Sequence, residues 1–485
     1  MLRPFSISNI VLSALLITSL GLRVSAANKK NDLPEIGVVA SGAISLDKEI
    51  VLGDALMRQL RGQAPIINDP LLEEYIQDLG NRLVAQADNV KFPFKFFLIN
   101  SPDINAFAFF GGHVGVHSGL IFNAKNESEL ASVLAHEVSH VTQRHIARSI
   151  EARQKSSPLQ LASALGGILL AMANPEAGIA AISASTAAAQ QASINYTRSN
   201  EKEADRVGIG ILAQAGFDPS GASSFFSTLT EKYRLKSNLT PFLMTHPLPE
   251  SRIADARTRA AMYAPRAIGE SLNFHLAKAR IQARYYANGK RNIEYFAALL
   301  EKQKYVIKVA AEYGLALSYL ADEQYGKAQA LITKLLTRSP DNLFFLDTFT
   351  DIALATGHYQ QAIDSLTEQA LHTPHNRVLS LNLANAKIKN KQFTEATNIL
   401  KDYLLVNPTN RLAYQLLSDA YGENQQKLEM HQSKAEVYAL SAAYPRAIDE
   451  LQNAYNFASE RQLEKQRIRA RIEQLRTAQE RLQTL

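Results

Sequence analysis

The sequence predicts a mainly α-helical protein in which a first domain with a small β-sheet precedes an α-solenoid of tetratricopeptide repeats. Apolar residues recur at helical spacing over most of the chain, and strand-like runs are confined to residues 92–122. From about residue 270 onward, alanine and proline recur with the period of tetratricopeptide repeats. Of the 485 residues, 46% are hydrophobic and 20% are charged, which excludes a disordered or a collagen-like chain.

The chain contains no cysteine. This excludes a disulfide scaffold, a cysteine-ligated metal site, a thiol nucleophile and a lipid-modified cysteine, so any metal must be held by histidine, aspartate or glutamate. The 52 lysines and arginines against 46 aspartates and glutamates give a net charge of +6. Such a mild excess gives no support for a nucleic-acid partner, and none is expected.

Residues 1–26 have the composition of a secretory signal peptide. Arg3 supplies a positive charge at the start, and residues 10–22 are apolar but shorter than the roughly 20 residues of a membrane span. Residues 24–26 form the cleavage site, so we expect a soluble protein in the periplasm of a Gram-negative bacterium. An uncleaved membrane anchor is the alternative interpretation.

The first domain is expected to begin with four elements. Two are amphipathic helices, one is a strand and one is a glycine-interrupted hairpin, at residues 47–60, 70–85, 92–99 and 105–122. Asp69 before Pro70 is a typical N-cap. A further helix is expected to begin after Asn126, with Glu129 placed as in a capping box.

Two alanine-rich apolar runs follow this helix, at residues 159–172 and 177–193. The first run is too short to span a bilayer, which needs about 20 residues. A helical hairpin packed on the domain is the simpler interpretation. The alternative is a hairpin that covers an active site or faces the membrane, which would give the protein a peripheral membrane contact.

The second domain is predicted from a repeat of 34 residues. Pro340, Pro374 and Pro408 have this spacing. Small residues lie twelve and twenty-four positions before these prolines, at Ala316, Ala328, Thr350, Ala362, Ala384 and Ala396. Small side chains let paired helices pack closely, and proline ends the second helix of each pair. Stacked units of this kind often bind peptides on their concave side.

Less regular units are expected on both sides of these repeats. Residues 272–306 fit a degenerate earlier unit, and a later unit keeps its internal spacing at Ala435, Tyr438 and Ala447. From Glu460 onward, a stripe of apolar residues predicts a last helix that caps the solenoid, and a partner-binding helix is the alternative. The residues of the stripe are Leu463, Ile468, Ile472, Leu475 and Leu482.

His136, Glu137 and His140 form a His-Glu-x-x-His motif on the helix that follows Asn126. Histidines four residues apart lie on one helical face, so both imidazoles can reach one zinc ion. Glu137 lies beside this face and can take a proton from zinc-bound water. The motif therefore predicts a zinc centre with a general base next to it.

A catalytic zinc needs a third protein ligand and keeps one position open. Gln143 and Ile146 stand where the metzincin pattern has glycine and histidine, which excludes that class. The better candidate is Glu201, four residues before Asp205 on one face of another helix. Glu201 can bind zinc, and Asp205 can accept the free N–H of a ligand histidine.

Two neighbouring residues are not expected to be metal ligands. His145 is five residues beyond His140 and therefore off the ligand face, and Glu203 points away from the face of Glu201. We interpret His145 as a structural residue and Glu203 as a surface charge.

These motifs resemble the zinc metallopeptidases of the HtpX and CaaX-prenyl-protease type. They are His136-Glu137-x-x-His140, Glu201-x-x-x-Asp205, His246-Pro247 and Arg252-Ile253. The resemblance implies a gluzincin-type metallopeptidase domain at residues 27–265, followed by the tetratricopeptide domain at residues 266–485. The signal peptide and the repeats favour a periplasmic branch of the family over its membrane-spanning members.

The resemblance assigns one zinc ion per chain to His136, His140 and Glu201, and the role of general base to Glu137. Asp205 would support the site or donate a proton, and we favour support. The strand at residues 113–118 resembles the edge strand against which such proteases lay an extended substrate, where backbone pairing gives affinity with little sequence preference.

His246 lies in a proline-flanked loop, and two functional roles are open for it. It could donate to the oxyanion of the transition state, or occupy the fourth zinc position and hold the enzyme latent. We favour latency, because an always-open protease would be hazardous in the periplasm. An ordinary loop histidine is the simplest alternative. For Arg252, oxyanion stabilisation and an ordinary salt bridge are both open.

The sequence thus predicts a periplasmic zinc endopeptidase whose repeats recruit clients. The resemblance implies that the clients are outer-membrane β-barrel proteins and their assembly machinery, and that the protein promotes assembly and degrades unfolded or misassembled chains. The rival is a non-proteolytic chaperone or scaffold whose structural zinc is closed by four protein ligands. An exopeptidase would need a site for a chain terminus, and the sequence has no signature of one.

Overall fold

The computed structural model of the chain describes residues 39–152, 198–233, 242–243, 246–248, 250–264 and 268–483. The signal peptide expected at residues 1–26 and the alanine-rich runs at residues 159–172 and 177–193 lie outside these residues. Within the described ranges, no helix is both long and apolar enough to cross a membrane.

In the N-terminal part of the chain, residues 39–264, the described residues form three strands and the helices around them. They are α1 (Leu46–Gln63), α2 (Pro70–Val84), β1 (Lys95–Ile99), β2 (Ala106–Phe109), β3 (His113–His117), α3 (Ser118–Asn123), α4 (Glu127–Thr142), α5 (His145–Ala152), α6 (Arg198–Gln214), α7 (Gly221–Tyr233) and α8 (Glu250–Ala260). The expected helices, strand and hairpin are present, and Asp69 caps α2 by accepting the N–H of Leu72. The hairpin is shorter than expected, because the chain turns into α3 at Ser118.

The three strands form one sheet in the order β1–β3–β2. β3 runs parallel to β1, from the pair Lys95–His113 to the pair Ile99–His117, and antiparallel to β2. The expectation of an edge strand at residues 113–118 is therefore wrong, since β3 has a neighbour on both sides. β1 and β2 are the two edge strands of the sheet in the described residues, and β2 packs against α4. The sequence pattern predicts the pairing of β2 with β3 in the hairpin. It does not predict that β1 pairs with the other side of β3.

Helix α4 carries the His-Glu-x-x-His motif and is buried almost from end to end. The Asn126 side chain caps it by accepting the backbone N–H of Glu129 at 3.0 Å. The Glu129 carboxylate accepts the N–H of Lys125 at 2.8 Å, one residue earlier than in the expected capping box. Arg144 follows the helix with a φ of 50°, a left-handed conformation that ends α4 and redirects the chain into α5.

Residues 268–483 form stacked helices, as the repeat period predicts. They are α9 (Leu272–Ile281), α10 (Gly289–Glu301), α11 (Lys308–Ala321), α12 (Tyr325–Arg338), α13 (Leu343–Ala355), α14 (Tyr359–His372), α15 (Arg377–Lys389), α16 (Phe393–Val406), α17 (Arg411–Glu423), α18 (Lys427–Ala439), α19 (Tyr444–Phe457) and α20 (Gln462–Gln483). Helices α12, α14 and α16 each end two residues before one of the spaced prolines.

The small residues of the repeat lie at the contacts between helices. All of those named in the sequence pattern are at most 1% exposed: Ala316, Ala328, Thr350, Ala362, Ala384, Ala396, Ala435 and Ala447. A larger side chain at one of these positions would push two helices apart, which explains why the pattern requires small residues.

Helix α20 covers the end of the array. Ile468, Ile472 and Leu475 are buried against α18 and α19, as expected of a capping helix. Leu463, the first residue of the expected apolar stripe, is exposed and does not take part in this contact. The apolar face of α20 therefore begins after its first turn.

The repeats pack directly on the N-terminal part. The Arg377 guanidinium in α15 lies 3.5 Å from the Glu73 carboxylate in α2, and the Asn376 side chain donates to Glu74 at 3.1 Å. In α1, Arg58 donates to the carbonyl oxygen of Ala439 at 3.2 Å. Helices α1 and α2 thus contact both the middle and the later repeats.

Arg280 in α9 lies at the centre of a buried group of charges. Its guanidinium donates to Asp69 at 2.7 Å and to the Tyr313 hydroxyl at 3.0 Å, and it lies 2.8 Å from Asp347. Burial lowers the pKa of Arg280, but the two carboxylates raise it well above its ordinary value. We call these four residues the Arg280 cluster. It joins the N-cap of α2 to the repeat helices α11 and α13.

Replacing Arg280 with alanine is expected to lower the free energy of unfolding by about 3–5 kcal/mol, because two buried carboxylates lose their nearest cation and the next one, Arg284, lies 3.8–3.9 Å from them. Urea unfolding followed by circular dichroism measures this loss. The control is Arg259→Ala, which removes a partly exposed pair with Asp255 one turn away and should cost about 1 kcal/mol or less. Equal losses in the two variants would contradict a special role for the cluster.

Candidate metal centre

The close approach of helices α4 and α6 brings the predicted ligands together. At Gly208 in α6, an added Cβ would lie only 3.1 Å from the backbone nitrogen of His136 in α4. Glycine therefore permits a helix contact that a larger residue would widen. Glu201 lies two turns before Gly208 and Asp205 one turn before it, so their carboxylates reach the histidines of α4.

Four buried side chains converge at one point: His136, His140, Glu201 and His246. We call them the metal centre. His136 Nε2 lies 3.0 Å from His140 Nε2 and 3.3 Å from His246 Nδ1. The Glu201 carboxylate lies 3.1 Å from His246 Nδ1 and 3.4 Å from His140 Nε2. All four ligand atoms lie within 4.8 Å of one another.

These spacings fit a zinc ion. Tetrahedral zinc with nitrogen and oxygen ligands at 2.0–2.2 Å requires ligand atoms about 3.3 Å apart. The contacts within the metal centre span 3.0–3.5 Å. The set of three imidazoles and one carboxylate also suits zinc, because neutral histidine nitrogen and carboxylate oxygen are among its usual ligands.

The electrostatics of the metal centre favour one bound positive charge. Burial lowers the pKa of His136, but hydrogen bonds to Asp205 and Glu201 raise it to about 10. Burial also lowers the pKa of His140, which falls well below its ordinary value. Burial raises the pKa of Glu201, but the facing histidines, His246 first, lower it well below its usual range. The carboxylates thus create a negative potential that a proton or a metal cation can neutralise.

Asp205 lies behind the metal centre. Its Oδ1 is 3.0 Å from Nδ1 of His136, on the side of the ring that faces away from the other ligands. Arg252 donates to both oxygens of Asp205, at 2.7 and 2.8 Å, and its third nitrogen lies 2.7 Å from Glu201. Arg252 is buried in these salt bridges, the second of the two interpretations open for it.

Glu137 lies beside the metal centre and is fully buried. Its Oε1 is 3.5 Å from Nε2 of His246, and the backbone of Ala108 in β2 lies near enough to its carboxylate to lower the pKa. Burial raises the pKa of Glu137, and the nearby histidines oppose this shift. The carboxylate therefore lies between the metal centre and β2.

His246 contacts both the metal centre and Glu137. Its Nδ1 faces Glu201 and His136, while its Nε2 faces Glu137. The backbone N–H of His246 donates to the Phe242 carbonyl at 2.7 Å, and the centroids of the two rings lie 5.0 Å apart. The position is inconsistent with an ordinary loop histidine, because such a residue would not converge with three other ligand-type groups.

The residues interpreted from the sequence as a structural histidine and a surface charge are both connected to the site. His145 is buried, and its Nδ1 lies 2.8 Å from Nδ1 of His140. Glu203 is only partly exposed and bonds to His145 and Arg148, so it is not a free surface charge. The prediction for His145 assumed one continuous helix, whereas the turn at Arg144 starts a new helix and brings the ring back to His140.

Comparison with known protein families identifies both parts of the chain. Residues 70–260 match peptidase family M48. Residues 353–420 match the tetratricopeptide repeat. The first match contains the metal centre, and the second lies within the stacked helices.

Relatives match the chain over nearly its whole length. The β-barrel assembly-enhancing protease of Escherichia coli (strain K12) is 44% identical over 457 residues, which cover 94% of this chain and 93% of that protein. The protein of the same description from Yersinia pestis is 42% identical over 475 residues, with coverages of 97% and 98%. A relative from Vibrio cholerae is 46% identical over 461 residues, 95% of each chain. The chain is a metalloprotease and belongs to the β-barrel assembly-enhancing proteases, in which a peptidase M48 domain is combined with tetratricopeptide repeats.

Proposed function

We propose that this protein is a zinc endopeptidase of the periplasm that promotes the assembly of outer-membrane β-barrel proteins and degrades misassembled ones. The observation that carries the proposal is the metal centre, whose ligand atoms have the spacing of a zinc site and lie next to the buried Glu137 carboxylate. The names of the relatives support the role in β-barrel assembly.

In this proposal His136, His140 and Glu201 hold one zinc ion per chain. When bound, zinc lowers the pKa of a water molecule and polarises a peptide carbonyl. Glu137 takes the proton of the attacking water, and its raised pKa suits a group that must first accept and then deliver a proton. Asp205 acts as a support, because its contact with Nδ1 fixes the orientation of His136.

Strand β2 is the proposed binding strand for an extended substrate. It is an edge strand, it packs against α4, and the backbone of Ala108 lies near the Glu137 carboxylate. A peptide that pairs with β2 would therefore pass close to the general base. Backbone pairing selects extended segments over particular side chains, and unfinished β-barrels expose such segments.

The repeats are proposed to hold the clients and the assembly machinery of the outer membrane. A tetratricopeptide array offers an extended surface for protein binding, and it packs here on the peptidase domain. We place the signal peptide at residues 1–26, the peptidase domain at residues 27–265 and the repeat domain at residues 266–485.

The purified protein is expected to contain one zinc ion per chain, because the ligand set and spacing fit that ion. Elemental analysis measures the content. A strong chelator should abolish peptidase activity, and added zinc should restore it. A different native metal, or activity that survives complete metal removal, would contradict the assignment.

Replacing Glu137 with glutamine is expected to lower the rate of peptide hydrolysis by at least about 10²-fold with zinc still bound, because the general base is lost. The matched control is Glu151→Gln, at an exposed position in α5, which should keep wild-type activity. Degradation of a misassembled β-barrel is measured with purified, zinc-loaded protein. Wild-type degradation by the Glu137 variant would instead favour the chaperone or scaffold with a structural zinc.

We further propose that His246 closes the metal centre and keeps the enzyme latent. Its Nδ1 lies 3.3 Å from Nε2 of His136 and would be a fourth ligand to a bound zinc ion, while its Nε2 lies beside the Glu137 carboxylate and would hinder the approach of water to that base. Substrate hydrolysis then requires that His246 moves away. The oxyanion role needs no such movement, so the two interpretations make opposite predictions for a variant without the imidazole.

Replacing His246 with alanine is expected to raise proteolysis by about tenfold or more, if the closed form holds at least nine-tenths of the molecules. Cleavage of an unfolded protein by equal amounts of zinc-loaded enzyme measures this change. His372→Ala, at an exposed position in α14, is the control and should leave the rate unchanged. A lower turnover number in the His246 variant would support the oxyanion donor instead.

A further inference from the structure

A chain of contacts leads from the ligand residue His140 through His145 to the Glu203 carboxylate, away from the metal centre. His145 Nδ1 lies 2.8 Å from His140 Nδ1, and His145 Nε2 lies 3.2 Å from Glu203 Oε2. The same carboxylate oxygen accepts a hydrogen bond from Arg148 at 2.8 Å. His145 is completely buried, whereas Glu203 and Arg148 are partly exposed.

The order of donors along this chain of contacts follows from the ligand role of His140. A neutral histidine that binds a metal through Nε2 carries its proton on Nδ1. In His140 this proton faces Nδ1 of His145, which must therefore accept it. The proton of His145 is then on Nε2, where it donates to the Glu203 carboxylate. Each ring nitrogen thus has one role, and the tautomer of His140 is fixed from outside the metal centre.

The two histidine ligands are therefore supported in different ways by one helix. Asp205 contacts Nδ1 of His136 directly, at 3.0 Å. Glu203, two residues earlier in α6, reaches His140 only through His145 in α5. The carboxylates at every second position of α6 thus have three different partners. Glu201 faces the metal centre, Asp205 contacts His136, and Glu203 contacts His145, which supports His140.

We propose that His145 and Glu203 are positioning residues, which hold the His140 ring in the orientation and tautomer that bind zinc. This inference rests on the proposed ligand role of His140. Contacts of this kind typically change metal affinity by 10- to 100-fold when removed. Since His145 begins a separate helix, the proposal also gives α5 a function in the metal centre.

The test measures the zinc dissociation constant of the full chain by competition with a fluorescent chelator. Glu203→Ala is expected to weaken zinc binding by about 10- to 100-fold. Glu203→Gln should restore it to within a few-fold of wild type, because the amide oxygen still accepts from His145 Nε2. The melting temperature of the metal-free protein should be the same in both variants, which separates positioning from a loss of fold.

Arg148→Ala is the matched control, because it removes the ion pair of Glu203 and leaves the contact with His145. It is expected to bind zinc like the wild type. His145→Phe keeps the ring volume and should bind as weakly as Glu203→Ala. If that buried variant does not fold, the two Glu203 variants decide. Wild-type affinity in Glu203→Ala, or an equal loss in Arg148→Ala, would overturn the proposal.

His140→Ala separates this inference from the proposed function. Suppose that His140→Ala binds zinc more weakly than the wild type, whereas Glu203→Ala binds it as tightly as the wild type. The ligand assignment of His140 then stands, and only the positioning role of Glu203 fails. If His140→Ala binds zinc as tightly as the wild type, the ligand set itself is wrong, and the positioning role falls with it.

Discussion

The chemistry of this protein depends on how closely helix α6 lies against helix α4. Gly208 allows the backbones to approach until a Cβ would touch the His136 backbone. At that distance the short side chain of Asp205 reaches His136, and Glu201 reaches the ligand nitrogens of both motif histidines. A wider gap would separate these two buried carboxylates from the two motif imidazoles, and the loss of such buried contacts is costly. Helix packing and metal chemistry are therefore one constraint in this structure.

The charges around the metal centre are arranged in layers. Glu201 lies inside, among the imidazoles, and Asp205 lies behind His136, where Arg252 neutralises it. The same guanidinium contacts Glu201 and the Pro247 carbonyl, next to His246. Arg252 thus prevents the accumulation of two uncompensated carboxylates in a dry interior, which would otherwise raise their pKa values. Its position explains why both acids can stay ionised beside a cation.

Local patterns predicted most of the fold and much of the metal centre. The helical spacing of His136 and His140, the N-caps and the repeat period all depend on residues close in sequence, so they can be recognised without a structure. The edge strand at residues 113–118 was wrong because strand order is a long-range property. The contact of His145 with His140 was not predicted, because the left-handed residue Arg144 ends α4 and starts a new helix. Glu203 is not a free surface charge, because it bonds to His145 and Arg148 in α5, a long-range contact that no local pattern encodes. No local pattern places His246 next to Glu137, since the two lie on separate segments of the chain.

The contact between His246 and the other ligands has a thermodynamic consequence. A group that binds the metal in one conformation and not in another links the two equilibria, and the linkage is reciprocal. Zinc would stabilise the closed conformation by the same factor by which the closed conformation tightens zinc binding. The working enzyme would then be the form that holds its metal less firmly, and an abundance of free zinc would shift the population toward the resting one. A change that favours the active conformation would therefore weaken zinc binding, and the imidazole of His246 would link the two effects.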